Sequence, residues 1–137
     1  MLMDKPAAVS ASGADSSYLQ LLGNSFLLLR LNVSPETVDG QHKALLSYVD
    51  TESRPALSAV LYDEARKVKT NEITSAFYQT KVRIDPSTSS LDIRGTMRYF
   101  SGERLLAPSN KHYQLQFNFT NGVASLKHFL EVTDEKK

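Results

Sequence analysis

The apolar pattern of this chain changes period once, near Thr70, and that change limits what it can fold into. Before Thr70 the apolar residues recur at helical spacing, and after it they alternate. Tyr18, Leu22, Phe26 and Leu29 mark a first helix, capped by Asp15 or Ser16 and ending near Asn32. Ser34 is placed to cap a second helix. Pro35 suits its first position because the missing N–H needs no partner, and Glu36 favours the positive end of the dipole. This helix start accounts for Ser34 better than the glycosylation triplet Asn32-Val33-Ser34 does. The second helix is predicted from Pro35 to about Val49, with Val38, Leu45 and Val49 inward and Gly40 weakening it. The third opens at Ser53-Arg54-Pro55 and places Leu57, Val60, Leu61, Ala65 and Val68 on one face, with Glu64 the single charged intruder.

Four alternating runs follow: "SAFYQTKVRI", "LDIRGTMRYF", "HYQLQFNFT" and "VASLKHFLEV". Asp85-Pro86-Ser87, a longer connection from Ser101 to Asn110, and the hairpin dipeptide Asn121-Gly122 separate them. Alternation assigns Tyr78, Val82 and Ile84, then Leu91, Ile93 and Met97, then Tyr113, Leu115, Phe117 and Phe119, then Leu126, Leu130 and Val132 to one apolar face. Helices first and an antiparallel sheet with one apolar face second define an α+β domain, in which N-terminal helices pack on a four-stranded antiparallel sheet.

With 16 Lys and Arg against 15 Asp and Glu the net charge is +1, so no global field draws the chain to nucleic acid or an anionic membrane. There is no cysteine, hence no disulfide, thiolate nucleophile or cysteine-rich zinc site. The longest apolar run, Phe26 to Leu29, ends at Arg30, far short of a bilayer span. Met1-Leu2-Met3 reads as a junction left by cutting a longer chain, and "SASGADSS" as a flexible tether.

Phosphate-binding glycine loops, zinc HExxH motifs and nucleophile elbows are absent, and His42, His112 and His128 lie on separate elements. No catalytic residue, metal ligand or cofactor is therefore assigned. His128, on the apolar parity between Leu126 and Leu130, offers a general base near Tyr99 or Tyr62, although a core histidine is the simpler reading. An enzyme or small-ligand binder of ketosteroid-isomerase or dehydratase type, with His128, Tyr99 or Asp63 as acid and base, is the alternative function. That alternative needs an open pocket, whereas the density of large apolar residues predicts a filled interior. The polar sheet face carries Lys81, Arg83, Arg94 and Arg98, interrupted by Asp92 and Glu131 and lacking a stacking platform for nucleic acid. Arg94, Arg98, Phe100 and Phe129 on this face, with Leu105 and Leu106 in the long connection, are the candidate partner interface.

In order and spacing, "DSSYLQ", "LLLRLNVSPETVD", "NEITSAFYQTKVRI", "DIRG", "KHY", "NGV" and "TDEKK" resemble the TraE proteins of F-like conjugative plasmids, over about Ala14 to Lys137. The resemblance implies a single-pass inner-membrane subunit of a bacterial conjugative type IV secretion system, with a periplasmic domain. It also implies kinship with VirB-type assembly factors, whose helices and curved sheet form a nuclear-transport-factor-like or cystatin-like cone. Members act as scaffolds for the channel and pilus, so no catalytic residue carries over. On this reading residues 1–14 are a junction and linker from which a transmembrane anchor has been removed, and 15–137 are the periplasmic domain. The implied partners are other secretion-system subunits, with self-association in the membrane-anchored full-length protein and no direct nucleic-acid binding. Asn121-Gly122 lacks the proline of the VirB-type Asn-Pro-x-Gly loop, so that dimer geometry does not transfer.

Overall fold

The computed structural model describes residues 9–10, 13–14 and 16–133; the Asp15 cap and most of the expected linker lie outside them. A two-residue antiparallel ribbon, β1 (Val9–Ser10) with β2 (Gly13–Ala14), precedes helices α1 (Ser16–Leu31), α2 (Val38–Leu46) and α3 (Arg54–Asn71). Strands β3 (Ile73–Asp85), β4 (Ser90–Ser101), β5 (Arg104–Leu105), β6 (Ser109–Thr120) and β7 (Val123–Glu131) follow. The sheet is antiparallel in the order β3-β4-β6-β7, with β5 folded back on the end of β4. The α+β architecture is as predicted, with a fifth, two-residue strand inside the long connection.

The second helix begins later than expected. Pro35, Glu36 and Thr37 form a turn in which the Ser34 carbonyl accepts from the N–H groups of Thr37 and Val38. The cap runs in reverse of the predicted sense, because the Thr37 hydroxyl accepts the Ser34 N–H at 3.0 Å. Asn121 and Gly122 both take positive φ, 55° and 79°, and join β6 to β7 in a two-residue turn. In the β3–β4 turn the Asp85 carboxylate accepts from the Ser87 N–H at 3.1 Å.

Two bulges revise the predicted alternation. Thr80 is the extra residue between Gln79 and Lys81, so Phe77 faces the core while Tyr78 is 53% exposed, and Val82 and Ile84 then return to the inner face. Lys127 does the same in β7: Leu126 and Phe129 are buried, whereas His128 and Leu130 point to the outer face. Tyr78 and Leu130 are therefore not core residues, and Phe129, 2% exposed, is no surface residue.

Helix α1 lies against the inner face, with Phe26 stacked on Phe117 at 5.7 Å and Gly23 bringing the helix close to Leu91. The turn between α1 and α2 covers one end of the β3 edge: Ser75 N–H donates to the Val33 carbonyl and Phe77 N–H to Asn32 Oδ1. At the other edge, Tyr48 and Asp50 bond the backbone of Leu126. A charge is buried among these elements. Arg30 of α1, 2% exposed, donates through Nε and Nη2 to the two carboxylate oxygens of Glu64 on α3, at 3.2 and 2.6 Å, and through Nη1 to the carbonyl of Phe129 on β7 at 2.8 Å. Its guanidinium lies over the rings of Tyr113 and Phe129 at 5.4 and 4.6 Å. The charged intruder on the third helix is thus the partner of the charge that ends the apolar run of the first.

Two sets of variants follow. Glu64→Leu strands a buried cation and should cost about 3–5 kcal/mol, whereas Arg30→Met with Glu64→Leu should recover most of that loss, as read by urea unfolding. A double variant no more stable than Glu64→Leu would contradict this account. Gly95 is crowded, since a Cβ there would lie 2.3 Å from the Tyr78 carbonyl oxygen, while nothing lies within 4 Å of one at Gly40. Gly95→Ala should therefore destabilise by about 1–3 kcal/mol, and Gly40→Ala in α2 should stabilise by about 0.5–1 kcal/mol in the same assay.

Candidate functional site

Helix α3 does not close fully on the sheet. Between them lies a cleft of about 680 Å³, so the interior is not filled as the sequence predicts. Filling holds where α1 meets the sheet, through Leu19, Leu22, Phe26 and Leu27, and toward the start of α3, through Leu57 and Leu61. Along the cleft, α3 contributes Val60, Asp63, Glu64 and Val68, and the inner sheet face contributes Met97, Tyr99, Lys111, Tyr113 and Glu131. Strand register explains the grouping, because Tyr113 pairs with Glu131 across β6–β7 and Lys111 pairs with Gly95 across β4–β6.

Charges in the cleft are matched. Lys111 Nζ donates to Glu131 Oε2 at 2.9 Å; burial works against its charge, but that bond and the neighbouring anionic groups raise its pKa. Burial pushes the Tyr113 hydroxyl far above the ordinary phenol range and raises that of Tyr99, with Glu131 adding to both shifts. Asp63 faces solvent beside Arg66 and Lys67, whose hydrogen bonds lower its pKa. His42, 5% exposed, holds the Arg30 carbonyl through Nε2 at 3.1 Å. Tyr99 and Asp63 thus line the cleft as the enzyme alternative requires, but His128 sits on the opposite face of the sheet, and the three do not converge.

The outer face is a second surface. Arg94 and Arg98 are exposed there, and Arg98 lies 5.7 Å over the ring of Tyr78. His112 Nε2 contacts Asp92 Oδ1 at 2.5 Å, and Gln114 donates to the same oxygen at 3.0 Å. Burial works against the Asp92 charge, and these hydrogen bonds outweigh it to keep the pKa low. Leu105 is 55% exposed on β5, opposite the partly buried Phe100, while Leu106 is half-buried and donates its N–H to the Tyr99 carbonyl at 2.9 Å. Of the six predicted contact residues, Arg94, Arg98, Phe100 and Leu105 share this side of the molecule. Leu106 turns partly inward, and Phe129 belongs to the core beneath Arg30. Tyr78 and Leu130 bring exposed apolar surface to the outer face, which sequence reasoning missed because a one-residue bulge carries no strong sequence mark. Among the described residues no cluster of His, Asp and Glu is placed to hold a metal ion.

These features agree with three comparisons. The family model described as "TraE protein" matches residues 1–131. Protein TraE of Escherichia coli strain K12 is 42% identical over the whole chain, and Protein TraE of Salmonella typhi 39% identical over 99% of it; each match covers 73% of the relative. The crystal structure of an IcmL-like type IV secretion system protein from Legionella pneumophila superposes with a TM-score of 0.65 over 91% of this chain and 99% of that one. At 16% identity that likeness is one of fold. A family match across almost the full length, joined to relatives near 40% identity, shows that this chain belongs to the TraE family.

Proposed function

We propose that the chain is a structural assembly subunit of a conjugative type IV secretion system, working through protein contacts in pilus assembly and plasmid DNA transfer. Membership of the TraE family carries this reading, and the fold shared with a protein named as IcmL-like and of type IV secretion supports it. In this proposal residues 15–137 form a periplasmic domain of a single-pass protein of the bacterial inner membrane. Among the described residues no helix is long and apolar enough to cross a membrane, so the anchor of this reading lies outside them. The role is one of scaffolding rather than catalysis, in keeping with His128 standing across the sheet from Tyr99 and Asp63. The outer sheet face, with Arg94, Arg98, Tyr78, Leu130 and Leu105, is the contact surface for other subunits. Exposed apolar side chains among arginines on a rigid sheet are what a protein interface uses.

Arg94→Glu with Arg98→Glu, and separately Leu105→Asp, should each lower conjugative transfer at least about tenfold. Because these are surface changes, the thermal midpoint should move by no more than about 2 °C. Wild-type transfer by both variants would remove the outer face from the proposal. Self-association should depend on tethering, since copies anchored side by side reach effective concentrations in about the millimolar range. Light scattering of the chain at micromolar concentration should report monomer, and cross-linking of the membrane-anchored full-length protein should report oligomers. A dimer of the chain that survives dilution would overturn this expectation.

A further inference from the structure

The charged groups of the cleft beneath α3 already have partners: Arg30 holds Glu64 and the Phe129 carbonyl, and Lys111 holds Glu131. The buried Nδ1 of His42 has no hydrogen-bond partner among the described residues, and the other unengaged groups are phenolic. Tyr113 is 2% exposed, yet among the described residues its hydroxyl makes no hydrogen bond, and it opens on the cleft. The hydroxyl itself reaches the cleft rather than being sealed in the core, so it stands there as a donor for water or for a ligand group that displaces the water. Tyr99 places a second phenol on the same wall. A phenol is protonated at neutral pH in any case, and burial with the adjacent carboxylates moves both hydroxyls further from ionisation.

We propose that the cleft binds a small uncharged molecule with an apolar body and a hydrogen-bond-accepting oxygen, which the Tyr113 hydroxyl holds. Its volume, about 680 Å³, falls within the range of about 300–1,000 Å³ typical of small-molecule sites. Leu31, Val68 and Met97 give the molecule apolar walls. An ion would leave water for a place whose fixed charges already cancel, so the site selects against charge. This inference stands apart from the assembly role, because the cleft and the outer sheet face lie on opposite sides of the sheet.

Two-dimensional NMR of the chain, titrated with 2-naphthol and 1-tetralone as neutral probes and 2-naphthalenesulfonate as their ionic counterpart, tests the proposal. At least one neutral probe should give saturable shifts at amides lining the cleft, and the sulfonate should bind at least about tenfold more weakly. Tyr113→Phe keeps the ring contacts and should weaken the neutral probe about three- to tenfold through loss of one hydrogen bond. Val60→Trp, at a rim position 46% exposed, should block entry while leaving the rest of the spectrum in place. Absence of saturable binding by both neutral probes would overturn the proposal. So would equal binding of the sulfonate, shifts gathered on the outer sheet face, or wild-type affinity in Tyr113→Phe.

Discussion

A guanidinium that is 2% exposed must have its charge answered inside the protein, and Arg30 sets the terms on which the other elements meet. It leaves α1 near its C-terminal end, takes both carboxylate oxygens of Glu64 from α3 and closes on the Phe129 carbonyl of β7. Three elements far apart in sequence are thereby held in one register. The rings of Tyr113 and Phe129 supply the low-polarity surround in which such a bond is strong, and Phe77 meets Tyr113 edge to face at 5.6 Å. Hydrophobic burial alone would let α3 slide along the sheet, whereas a bidentate pair admits one position. That position is also what leaves the cleft, since α3 is held to the sheet by a polar post.

How much of this was legible in the sequence depends on the scale considered. The switch from helical to alternating spacing at Thr70 marks the boundary between layers, and the structure puts it between Asn71 and Ile73. Proline and turn chemistry located the third helix and the Asn121-Gly122 hairpin to within a residue. Strict alternation failed at Thr80 and Lys127, each of which adds one residue and moves every later side chain to the other face. Tyr78 and Phe77, like Leu130 and Phe129, are adjacent and both apolar, so hydrophobicity could not choose between them. Arg30 and Glu64 were visible only as isolated charges on apolar stripes. Opposite charges stranded on two buried faces are a signal, but which pairs with which is a fact of tertiary structure.

The cleft and the outer face divide the sheet between two kinds of surface. Inside, charges cancel in pairs and phenols remain; outside, arginines alternate with exposed Tyr78 and Leu130. The same bulges create both, because they turn Phe129 inward over Arg30 and Phe77 inward against Tyr113, and turn their neighbours outward. A single inserted residue in each edge strand thus sets the core and the exposed apolar positions of the outer face together.

The bulge at Thr80 also bears on colloidal behaviour. Strand β3 ends the sheet, and an edge strand offers its backbone to any passing chain. Beyond the bulge, Lys81, Arg83 and Asp85 alternate along exposed positions, so the strand is kinked and charged where it is least covered. A second sheet laid alongside would meet a broken register and unpaired charge. At high concentration this works against polymerisation through the sheets, and it leaves the domain's faces, rather than its edges, as the surfaces open to specific contact.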